Sequence, residues 1–184
     1  MTAATLPRGW ALLFGTIAIS IGVHFIHEVF HMLAAISFGV SGTFGLNTVR
    51  YADELSDTAY LIITFAGPAV TLVIGAIALA KKSRWSSSVL FVVAYQRALA
   101  ALLSALGAPN DEARMGLILG IGQWPIFALT IGTALAMLAW QLRGDWHRRS
   151  RLGWLGWLGI AYLATNIAVT IMVFADTVLP RIPF

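Results

Sequence analysis

His27, Glu28 and His31 lie in the run His24-Phe25-Ile26-His27-Glu28-Val29-Phe30-His31. Two histidines four residues apart share one face of a helix, one turn apart, so both imidazoles can reach one ion. A Glu directly after the first His sits beside that ion, where a general base for an activated water belongs. The pattern is short, and chance alone gives it to roughly one chain in a few hundred of this length. Its surroundings raise its weight. A charged side chain inside a membrane span costs ~3 kcal/mol or more, and this apolar run holds three His and one Glu within eight residues. A divalent metal would compensate them. A polar cluster that bonds neighbouring helices or lines a water cavity is the alternative. The chain has no Cys, so ligands are limited to His, Asp and Glu, and a nitrogen–carboxylate set favours zinc.

A hydrolytic zinc site needs a third protein ligand and one open position. The candidates are Asp111, by preference, and Glu112, in Pro109-Asn110-Asp111-Glu112-Ala113-Arg114. In the competing reading Asn110 caps a helix and the two acids suit its first turn. Reaching the histidines requires the preceding span to end early, near Ser104, with Gly107 and Pro109 making the break. His24 shares the face of His27 and Glu28, as an alternative ligand or a hydrogen-bonding support for the ligands. Arg97 lies at about the depth of His27, to pair with Glu28, Asp111 or Glu112, or to hold a substrate carbonyl. Gly67-Pro68, within Phe65-Ala66-Gly67-Pro68-Ala69, is expected to interrupt and kink a span while letting a neighbour pack closely. Asn166 reads as an interhelical hydrogen bond, and His147 as a solvated residue of a basic loop.

These residues need a frame, and composition names it. Of 184 residues 59% are hydrophobic and 11% charged. A soluble domain would carry about a quarter charged, so most of this exterior faces lipid. Five apolar runs are long enough to span a ~30 Å hydrocarbon core as helices: Trp10–Phe38, Ala59–Ala80, Ser87–Leu106, Met115–Leu142 and Leu152–Val178. The expected fold is an all-α integral membrane bundle of about five transmembrane helices. It forms one domain over 1–184, with a catalytic core at 10–120 and two further spans at 115–178. The Gly39–Thr58 connection is the longest and most polar; its glycines and β-formers allow a small hairpin or a plain loop. The Trp10–Phe38 run is too long for a cleavable signal peptide.

The net charge of +4 does not point to nucleic acid, because the cations cluster in loops between spans. Lys81, Lys82, Arg84 and the Arg143–Arg151 loop fall on the side of the N-terminus. The positive-inside rule makes that side cytoplasmic. Trp85, Trp146, Trp154 and Trp157 flank it as interfacial aromatics. A multi-pass protein of a prokaryotic plasma membrane is expected.

The chain resembles the site-2-protease family of intramembrane zinc metalloproteases. His27-Glu28-Val29-Phe30-His31 looks like that family's zinc helix, and Ala66-Gly67-Pro68 in the next span like its packing motif. Asp111 looks like its late aspartate. The resemblance covers roughly the first 120 residues, in a minimal form without PDZ or CBS domains. It implies zinc held by His27, His31 and Asp111, Glu28 as general base, and endoproteolysis of a transmembrane or membrane-proximal peptide. It also implies that the substrate unwinds locally, with the Gly39–Tyr51 segment offering a strand edge. A non-catalytic metal-binding or scaffolding protein and a small transporter are the alternatives. Oligomeric state is left open.

Overall fold

Lipid offers no partner to a peptide group, so apolar runs of this length must satisfy their backbone internally as helices. The computed structural model describes residues 6–52, 54–146 and 150–184. The expectation for His147 lies outside the described residues, as does the centre of the basic loop. Among the described residues six α-helices form: α1 (Gly9–Ser37), α2 (Asp57–Lys81), α3 (Ser86–Ala105), α4 (Asp111–Ile118), α5 (Trp124–Asp145) and α6 (Arg151–Val178). All but α4 are long and apolar enough to cross a membrane. The chain is a multi-pass, all-α membrane bundle.

The helix α3 is the axis of this bundle, touching each of the other five. Half of its most apolar window is buried, against 22% for α1 and α5. Val23, Val92, Val93, Ala94 and Ala134 close the middle, where α1, α3 and α5 meet. Leu12, Trp157 and Ala161 pack α1 on α6 near the basic end. Trp157 therefore belongs to the core, unlike the interfacial placement its position suggested. Ala35, Ala59 and Ile63 pack α1 on α2 at the opposite end. Small residues at these contacts let helix backbones approach closely.

The expected span Met115–Leu142 is in fact two elements. Helix α4 stops at Ile118, and α5 begins at Trp124. Between them Gly120 (φ +69°) and Gly122 (φ +77°) take the left-handed conformation that glycine adopts without penalty. Pro125 then sits in the first turn of α5, where its missing N–H costs nothing. Gly116 lies so close to the Gly122 carbonyl that a β-carbon there would collide, which folds α4 back under α5. The expected interruption at Pro68 is also corrected. The helix α2 runs through it unbroken, although Pro68 has no N–H to give the Thr64 carbonyl.

The polar connection after α1 is a hairpin of β1 (Gly42–Phe44) and β2 (Val49–Tyr51), paired with Thr43 opposite Arg50. A third strand that sequence reading did not foresee, β3 (Ile182–Pro183), pairs with the other edge of β1. The sheet order is β2-β1-β3. Asp176 at the end of α6 clasps this sheet. Its carboxylate accepts from Thr48 Oγ1 (3.1 Å) and from Arg181 (2.6 Å). Gly45 sits against that carboxylate with no room for a β-carbon.

Candidate metal centre

His27 and His31 project from α1 onto α2. Each ring is oriented by its Nδ1. His31 Nδ1 donates to the Ile63 carbonyl at 2.7 Å. His27 Nδ1 donates to Thr71 Oγ1 at 3.1 Å, and that hydroxyl spends its own proton on the Gly67 carbonyl at 2.9 Å. Both neutral rings are thereby fixed in the tautomer that leaves Nε2 as a lone pair, the arrangement metal-bound histidines use.

The two Nε2 atoms lie 3.1 Å apart, and Asp111 Oδ2 lies 3.1 Å from His27 Nε2 and 3.2 Å from His31 Nε2. Three lone pairs thus converge with the protons of both rings committed elsewhere. A proton added to His31 Nε2 would satisfy its two contacts and leave the His27–Asp111 contact unmade. A divalent cation satisfies all three. In a tetrahedral zinc site with bonds of ~2.0–2.1 Å, ligand atoms sit about 3.3–3.4 Å from one another. The observed triangle is within about 0.3 Å of that, so these residues fit zinc. Both histidines are buried and Asp111 is half-buried. A divalent cation between these lone pairs would favour the ionised Asp111 carboxyl, as a ligand must be.

Gly67 explains how α2 passes this site. A β-carbon there would lie 2.6 Å from His27 Cε1 and 2.7 Å from His27 Nε2, and closer still to His31 Nε2. Its neighbour Pro68 is buried in the same helix.

Asp111 arrives because α3 ends at Ala105, one residue past the position the sequence suggested. Gly107 (φ +93°) turns the chain. Asn110 does not cap α4 with its side chain. Its amide donates instead to the carbonyls of Ala100 (3.1 Å) and Ala108 (3.0 Å), which anchors the start of α4 to the end of α3. Glu112 lies outside this triangle. It points the other way, accepting from Arg97 at 2.7 Å and from Thr130 Oγ1 of α5 at 3.3 Å. Arg97 consequently pairs with Glu112 and with neither Glu28 nor Asp111.

That ion pair is fully buried, with side-chain exposures of 5% and 0%. Removing one partner of such a pair strands a charge and costs ~3–5 kcal/mol, whereas an apolar replacement of both is often neutral. Arg97→Met should accordingly lower the unfolding midpoint in detergent sharply. The double replacement Arg97→Met with Glu112→Leu should recover most of the loss, and equal loss in both proteins would show the pair is not coupled.

Glu28 is buried on α1, and with His24 it faces a cavity of about 260 Å³ shared with the three metal-site residues. His24 Nδ1 contacts the Ser20 carbonyl at 3.0 Å and the Gln96 side chain at 2.5 Å; it does not touch the metal triangle. The far wall is β2 and its approach, through Asn47, Thr48, Val49 and Tyr51. Val169 and Val173 of α6 close another side. The last span, silent in the motif reading, thus helps to close the cavity, and Tyr95 Oη of α3 donates to Asn166 of α6 at 2.8 Å. His31 lies six residues from the end of α1, about 9 Å along the helix, so the site sits near the hairpin end of the bundle. No family model matches the chain, and neither does a curated protein or a solved structure.

Proposed function

We propose that the chain is a zinc-dependent intramembrane endopeptidase, of the kind its resemblance to site-2 proteases implies. The observation that carries this reading is the convergence of His27 Nε2, His31 Nε2 and Asp111 Oδ2, at 3.1–3.2 Å, on a cavity that also holds Glu28. Bound there, zinc would act as a Lewis acid, polarising a carbonyl and making water acidic enough to ionise near neutral pH.

The residues of the chain supply the rest. Glu28 takes a proton from water as its oxygen bonds to the peptide carbonyl carbon, and the π pair moves onto the carbonyl oxygen. Protonated Glu28 then passes that proton to the amide nitrogen as the C–N bond breaks, giving a carboxylic acid and an amine. The burial of Glu28 among apolar helices keeps bulk water away from this exchange. The substrate must present an extended segment, since a helical amide is shielded. Both edges of β1 are filled, so the edge that remains on the cavity side is that of β2, which suits addition of a substrate strand.

Most Lys and Arg outside the spans gather at the end opposite the site: Arg8, Lys81, Lys82, Arg84 and Arg143, with Arg148, Arg149 and Arg151 by sequence; Arg50 and Arg181 lie at the hairpin end. By the positive-inside rule that end is cytoplasmic, in a prokaryotic plasma membrane, with the catalytic cavity nearer the other face. A metal-binding scaffold would share the zinc but have no use for Glu28. A carrier would need a path past Val23, Val92 and Val93, which fill the middle of the bundle.

The test is metal content and cleavage together. Purified wild type should hold about one zinc per chain and cut a transmembrane peptide. A chelator should stop the cleavage and added zinc restore it. Asp111→Ala should weaken zinc binding by more than the ~10–100-fold that loss of a supporting hydrogen bond costs. A wild type that takes up no zinc at micromolar concentrations would end the proposal.

A further inference from the structure

Addition of water to a peptide carbonyl leaves negative charge on the former carbonyl oxygen. Preorganised donors that meet this charge account for much of the rate in comparable enzymes. The cavity has several polar side chains, and most are already committed. Arg97 is held by Glu112, Asn110 by two carbonyls, Arg114 Nε by the Pro109 carbonyl at 3.0 Å, and Thr48 by Asp176.

Tyr51 differs from them. Its ring is half-buried against the Ala35, Ala59 and Ile63 cluster, which fixes the side chain between α1 and α2. It lines the same cavity as Glu28 and Asp111. Among the described residues its hydroxyl has no hydrogen-bond partner. Strand β2 holds its backbone, with Tyr51 paired opposite Gly42.

We propose that Tyr51 is a catalytic residue whose phenolic O–H donates a hydrogen bond to the oxyanion formed on the substrate carbonyl. The inference rests on the peptidase reading and deepens it. The phenol keeps its proton throughout: burial first, then the charges of Asp111 and Glu28, raise it above its ordinary value. The shared cavity is what places it beside Glu28, His27, His31 and Asp111. The hairpin becomes part of the reaction centre as well as a wall.

The test uses a phosphinic peptide, which mimics the charged tetrahedral adduct and needs no turnover. Its affinity is measured on zinc-loaded, full-length protein in detergent. Tyr51→Phe keeps the packed ring, and should bind zinc as the wild type does while binding the phosphinic peptide roughly 10²-fold more weakly, in line with the loss of one oxyanion donor. Its turnover number should fall by a similar factor with little change in KM. Tyr60→Phe removes a phenol from α2 outside the cavity lining and should change neither. Equal phosphinate affinity in wild type and Tyr51→Phe at equal zinc occupancy would overturn the proposal, as would loss of zinc in Tyr51→Phe. If the wild type holds zinc but neither binds the phosphinic peptide nor cleaves, the peptidase reading fails and this inference fails with it.

Discussion

Glu28→Gln protein should hold zinc as tightly as the wild type and hydrolyse peptide about 10²–10⁴-fold more slowly, the contribution typical of a positioned general base. The substitution is nearly isosteric and removes no metal-site atom, since the converging atoms belong to His27, His31 and Asp111. What it removes is the proton acceptor. An amide neither takes a proton from water at neutral pH nor returns one to a leaving nitrogen. Replacing a buried carboxyl in an apolar bundle with a neutral amide should leave the unfolding midpoint equal or higher, because burying a charge is costly. Zinc content, cleavage rate and unfolding midpoint on one preparation separate catalysis from integrity. Cleavage at the wild-type rate would remove Glu28 from the chemistry, while loss of zinc would make it a ligand.

Gly67→Ala should cut zinc affinity by at least about 10²-fold, through one methyl group. The added carbon would sit 2.6–2.7 Å from His27 ring atoms and nearer still to His31 Nε2. Neither ring can retreat easily, because Thr71 and Ile63 hold their Nδ1 atoms and fixed supports of this kind are what align ligands. The methyl group must therefore push α2 from α1 or turn the imidazoles off the shared point. A 1 Å misplacement in a reacting centre can cost 10²-fold. Gly132→Ala in α5 is the control: nothing lies within 4 Å of a β-carbon there, and the change should leave zinc affinity untouched. Undiminished affinity in Gly67→Ala would mean that the imidazoles do not meet where these contacts put them.

The parts of this molecule legible in sequence are those governed by local chemistry. Apolar length specifies the spans because lipid leaves the backbone no other solution. The i, i+4 spacing puts His27 and His31 on one face whatever lies around them. Choosing Asp111 over Glu112 was harder, since adjacent residues on a helix point about 100° apart and only the tertiary placement of α4 decides which faces α1. The break at Gly120 and Gly122 was masked by the apolar residues around it, although two glycines ahead of a Trp-Pro pair were a cue. The third strand was invisible: Ile182-Pro183 is too short to show periodicity, and its pairing with β1 joins residues about 139 apart along the chain. Tyr51 was missed because a lone tyrosine in a polar loop carries no pattern.

On the zinc proposal, the distance along the chain between His31 and Asp111 sets a clock on biogenesis. Asp111 follows His31 by 80 residues. At the ~5–20 residues per second of chain synthesis, that interval is about 4–16 s. During it the first helical hairpin is already in the bilayer with paired imidazoles and no acid to complete them. Metal captured early has only two anchors and is readily lost, so durable loading waits until the short α4 has swung under α5. Maturation into a competent form is therefore expected as a late event, after the third span has emerged, and a nascent chain stalled before Asp111 should exchange its metal freely.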